Sequence, residues 1–85
     1  MAFTATDRRT LLQVRGVGPT VIRRLEEIGI DSMGRLARMD ADSICRQVAA
    51  HLRATCWANS PQARAAIEGA IAAAREADRA PRHDG

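Results

Sequence analysis

"VRGVGPTVIRRLEEIGI", residues 14–30, places two of the chain's six glycines one residue apart, with a proline directly behind them and a helical pattern beyond. Gly16 and Gly18 flank a single apolar residue, Val17. Pro19 suits the first turn of a helix, where its missing N–H removes no hydrogen bond. From there Val21, Ile22, Leu25 and Ile28 share one face, and Gly29 is placed to end the helix in a left-handed conformation. Arg23, Glu26 and Glu27 take the opposite, solvated face. The stretch therefore reads as a sharp turn feeding a helix, and the flanking sequence is read around it.

Upstream, Thr6 or Asp7 caps a first short helix that carries Leu11, Leu12 and Val14 on its apolar face and stops at Gly16. Downstream, "IDSMGRLARMD" (30–40) reads as a third helix, capped by Asp31 or Ser32, with Met33, Leu36 and Met39 turned inward. Asp40 caps a fourth, on which Ile44, Val48 and Leu52 recur every four residues beside Cys45 and Ala49. "TCWANSP" (55–61) is a loop, and Ser60 before Pro61 signals a fifth, Ala-rich helix from Gln62 to about Asp78, anchored by Ile67 and Ile71. The domain is thus read as residues 6–78, behind a flexible start at 1–5 and ahead of a disordered tail, "RAPRHDG" (79–85). A faint echo runs through it. Residues 7–28 and 32–53 each read helix, turn, helix, but the second turn, "RMDAD" (38–42), has no glycine.

Composition supports packed helices. The chain has 85 residues and 2% aromatics, so one small core is built from Leu, Ile, Val, Met and Ala, with no period-two alternation for a sheet. The formal net charge is +3, the pI is about 10.1, and all thirteen basic residues are Arg. A positive surplus favours an anionic partner, nucleic acid first. Two cysteines make no disulfide framework and "MAFTATDRR" has no apolar leader segment, so the chain reads as cytoplasmic and reduced. No apolar run approaches the roughly 18 residues that cross a bilayer.

The glycine pair carries the chemistry. Between two helices it lets the chain reverse while backbone N–H groups face outward, next to the unpaired amides and positive dipole end of the following helix. Such a nest suits a phosphate oxygen, with Val17 pinning the loop from behind. "LLQVRGVGPTVIRRLEEIGI" (11–30) is similar to the helix-hairpin-helix motif, and "IDSMGRLARMDADSICRQVAAHL" (30–52) looks like the degenerate second unit that completes a pair of hairpins. At this length the chain most resembles the small bacterial stand-alone helix-hairpin-helix proteins of the pathogenicity-locus or mitomycin-resistance-like group. The resemblance covers residues 10–53; beyond it only a helical pattern is read.

That resemblance implies an all-α, SAM-domain-like bundle of about five short helices, with one competent and one degenerate hairpin. It also implies sequence-independent DNA binding across the minor groove of a duplex, as an accessory to repair or recombination, with a monovalent cation sometimes bridging amide and phosphate. The implied contacts are the backbone of Arg15, Gly16, Val17 and Gly18, the Thr20 hydroxyl, and Arg23. Two positions depart from the motif: Thr20 stands where Lys is frequent, leaving Arg15 and Arg23 to supply charge, and Ile22 stands where a small residue is usual, which implies a wider helix packing angle. The alternative function is a protein-interaction adaptor, docking on another protein through the last helix; a homodimer is the other expected partner, and it would strengthen DNA binding by linking two hairpins.

Other constellations point elsewhere. Cys45, His51 and Cys56 lack close metal-ligand spacing, and Cys45 falls on an apolar face, so a buried thiol is expected and no metal or cofactor. Trp57 with Cys56 reads as a plug under the last helix; as a stacking platform it would lack neighbouring aromatics. Asp40 and Asp42 sit at a helix start where carboxylates favour the dipole, and no clustered acids suggest a nuclease, so no enzyme is expected. Arg64, Glu68 and Arg75 read as a solvated row with an i,i+4 pair.

Overall fold

The structure is a computed structural model that describes residues 2–54, 57 and 59–79. Those residues form five α-helices and no strand: α1 Ala5–Leu12, α2 Pro19–Glu27, α3 Met33–Ala37, α4 Ala41–Leu52 and α5 Pro61–Arg79. Four of the five begin at a side-chain oxygen that accepts a first-turn N–H, and the residues differ from helix to helix. Thr4 accepts from Asp7, Ser32 from Arg35, Asp40 from Ser43 at 2.7 Å, and Ser60 from Ala63. The cap of α1 is therefore Thr4, ahead of the expected Thr6 or Asp7; starting there lets Thr10 return its hydroxyl to the Thr6 carbonyl.

Helix α1 also stops earlier than Gly16. After Leu12 the chain tightens through Gln13 N–H to Thr10 O and Val14 N–H to Leu11 O. Leu11 is fully buried, but Leu12 is 42% exposed rather than inward. Within the expected flexible start at 1–5, Phe3 contributes to the fold: it is buried, and its N–H donates to Glu26 Oε2 at 3.0 Å. Glu26, read as solvated, thereby anchors the start of the chain, and it also pairs with Arg8 at 3.1 Å.

Gly29 ends α2 as the sequence suggests. Its φ is +90°, its N–H donates to Glu26 O, and Ile30 N–H reaches back to Leu25 O, burying Ile30 in the process. Helix α4 ends the same way at Arg53, a non-glycine residue at φ +54°. Helix α5 runs 19 residues, so it is not short, and it takes in Arg79 at the head of the expected tail; residues 80–85 lie outside the described residues.

Helix α5 is the spine. Ala66, Ile67, Ala70, Ile71 and Ala74 are buried, and the helix packs most extensively on α3, then α4, with further contact to α1. Small residues on this face let other elements approach closely. A methyl group at Gly69 would stand 2.7 Å from Val14 Cγ1, so the turn after α1 rests directly on α5. The core is completed by Ile22, Leu25, Met33, Leu36, Ile44 and Val48. Polar ties hold the outer faces together. Asp42 of α4 receives Arg64 of α5 at 2.8 Å, and Arg75 donates to the Ala37 carbonyl, so the expected solvated row on α5 is used between helices.

Candidate functional site

The turn from Gln13 to Gly18 joins α1 to α2, and its two glycines do different work. Gly16 sits at φ +85°, a conformation that side chains rarely adopt, and an added methyl group would lie 3.3 Å from Ala66 Cβ. The fold itself requires this glycine. Gly18 is extended (φ −120°, ψ −175°), which any residue adopts, and an added methyl group would meet nothing within 4 Å. No demand of packing or backbone conformation explains a glycine there.

Gly18 is the N-cap of α2, and it has no side chain to cap with; no acid stands in the first turn either. The consequence is an open set of donors. Among the described residues, the N–H groups of Arg15, Gly16, Gly18, Thr20 and Val21 have no protein acceptor. Val17 differs from the expected set, because its N–H is spent on Val14 O at 3.0 Å. Its side chain is buried, which pins the turn to the core.

The charged partners expected at this end are present and free. Arg15 and Arg23 are exposed, and neither makes an ion pair among the described residues. Thr20 and Arg23 meet in a shallow depression lined also by Pro19 and Arg24. Arg24, which the sequence reading passed over, is committed elsewhere, to Glu27 at 2.8 Å. Ile22, bulky where a small residue was expected, is fully buried and absorbed into the core.

The second turn, at Arg38 to Asp40, is closed. Asp40 Oδ1 occupies the start of α4, so a carboxylate already stands where an incoming anion would seat. One turn of the pair offers open amides; the other offers a negative charge.

Remaining titratable groups are tied to structure. The hydrogen bond from Arg24 to Glu27 holds its carboxyl below the usual value, and His51 lies 3.3 Å from the same oxygen. Asp42 is lowered chiefly by its bond from Arg64, with Arg46 adding to it. Burial pushes the Cys45 thiol up, as suits an inert thiol in the core. Cys45 thus faces inward while His51 turns to α2, and Cys56 lies outside the described residues.

Cys56, the partner of Trp57 in the plug reading, lies outside the described residues, while Trp57 itself is half-buried and packed against the core. It also lines an apolar groove with Gly16, Val21, Ala63 and Ala66. The sequence could not show that groove, since it joins residues about 35–50 positions apart. On α5, the helix through which an adaptor was expected to dock, Ala66, Ile67, Ala70, Ile71 and Ala74 are buried inside the molecule. The face left to solvent includes Gln62, Ala65, Glu68, Ala72 and Glu76. Neither a protein-family model nor a curated protein nor a solved structure matches this chain.

Proposed function

We propose that the chain is a non-enzymatic module that holds a DNA backbone, without reading sequence, on the open amides at the start of α2. The supporting observation is that α2 is the one described helix whose first turn has no side-chain cap, and that it opens at a glycine the fold does not need. A phosphate oxygen completes those donors and lies at the positive end of the helix dipole. A side chain on residue 18 would stand between them, which gives Gly18 a purpose. Arg15 and Arg23 supply charge in place of a lysine, and the Thr20 hydroxyl a further donor.

One such nest with two free arginines neutralises about three phosphates. The logarithm of the binding constant should then fall with the logarithm of salt at a slope of roughly −3, from dissociation constants of about 10⁻⁴ to 10⁻⁵ M. The test is fluorescence anisotropy of a labelled duplex and a labelled single strand, titrated with wild type and Gly18→Glu at low and moderate salt. Gly18→Glu should fold, since the position opens to solvent and an acid favours a helix start. It should lose DNA binding through charge and obstruction. Equal binding by the two folded proteins, or no binding by wild type at low salt, would reject the proposal.

A further inference from the structure

The groove beside the nest gives that reading a substrate class. Gly16, Val21, Trp57, Gln62, Ala63 and Ala66, with Ser60, line a hollow of about 340 Å³, at the small end for ligand sites. Gly16 and Val21 belong to both features: each lines the groove, and each has a backbone N–H with no acceptor among the described residues. An anion seated on the amides therefore lies beside an apolar slot walled by an indole. A nucleotide joins those two properties through one sugar.

Resting on the phosphate reading above, we infer that the groove takes an unpaired nucleobase against Trp57, so that the preferred ligand is single-stranded nucleic acid rather than closed duplex. Trp57 is packed against the core, which lowers the cost of ordering it on binding. Gly16, Ala63 and Ala66 among the lining residues are small, leaving space where larger side chains would fill the slot. Stacking on a single ring needs no base identity, because every base has a π-face. Charge selects this occupant over an apolar peptide side chain. Among the described residues no carboxylate lines the groove and Arg15, next to Gly16, makes no ion pair, so the surroundings suit a polyanion. Gln62 adds an amide able to meet a base edge.

The chain has one tryptophan and no tyrosine, so its emission reports on this groove alone. Full-length protein is titrated with oligothymidylate, with an abasic deoxyribose-phosphate strand of the same length, and with a blunt duplex, following both anisotropy and tryptophan emission. Oligothymidylate should quench Trp57 and bind about tenfold more tightly than the abasic strand. Trp57→Ala should bring the two strands to equal affinity while leaving the abasic one unchanged. Ala63→Leu, which fills the groove from α5, should do the same and serves if Trp57→Ala does not fold. Equal affinity of the two strands for wild type, or unchanged emission at saturation, overturns the base site and leaves the phosphate reading standing. Absence of all binding overturns both. Emission that shifts with protein concentration alone, accompanied by dimer in sedimentation, assigns the groove to a second copy and also overturns the inference.

Discussion

At Gly16 and Gly18 one sequence pattern conceals two separate physical demands. Gly16 answers to the backbone and to Ala66, so Gly16→Ala should destabilise the domain by about 1–2 kcal/mol, from the left-handed φ together with a methyl contact at 3.3 Å. Gly18→Ala meets neither obstacle, and since alanine caps a helix start less well than glycine while reducing unfolded-state entropy, the two effects offset and the urea midpoint should shift little. Urea unfolding of the two variants separates them; similar losses would show that the turn needs both glycines for its own shape. The sequence announced that a turn needed exposed backbone here, because Gly-apolar-Gly-Pro is a local signal. It could not assign the work between the two, because Ala66 is fifty positions away and enters only through packing. Val17 shows the same limit. Its burial was legible from its character, whereas the loss of its N–H to Val14 depends on how tightly the chain turns after Leu12.

Helix bodies were more legible than helix ends. The inward positions of α2, α3 and α4 follow from 3.6-residue periodicity, and Ile22, Leu25, Met33, Leu36, Ile44 and Val48 are all buried as that period requires. Ends answer to competing caps. Near the start of the chain Thr4, Thr6 and Asp7 all qualify, and Thr4 wins where Phe3 can also reach the core and bond to Glu26. The end of α4 gives no glycine signal at all, because Arg53 itself adopts the left-handed conformation, with Ala54 N–H bonding to Ala49 O. This is strain held by the surrounding turn. Replacing Arg53 with Gly should relieve it and raise stability by about 0.5–1 kcal/mol after the added entropy of an unfolded glycine is set against the gain. Thermal melting and urea unfolding check the sign; a loss of stability would mean that the arginine side chain contributes more than its backbone costs.

For the molecule as a whole, an all-helical domain was readable from composition and pattern, but the ties that set one helix against another were not. Contacts such as the Asp42–Arg64 ion pair and the approach of His51 Nε2 to Glu27 Oε1 join residues more than twenty positions apart. Those ties make acid stability a test of the arrangement. Glu27 and Asp42 both have folded-state values held below their ordinary 4.5 and 3.8, by Arg24 and Arg64 respectively. Depressed carboxyl values mean that the unfolded chain binds protons first. Their contribution is therefore fully present above the ordinary values and is lost as pH falls through the lower, folded ones. Both groups are exposed, so solvent and salt screen the effect. The urea midpoint should be level near neutral pH and fall below about pH 4.5, with a shallower fall at high salt. Glu27→Gln with Asp42→Asn removes both titrations, so the double variant should start lower near neutral pH and lose less on acidification. If wild type and the double variant fall in parallel, other carboxyls govern the acid limb, and Glu26, half-buried between Phe3 and Arg8, is the next to replace.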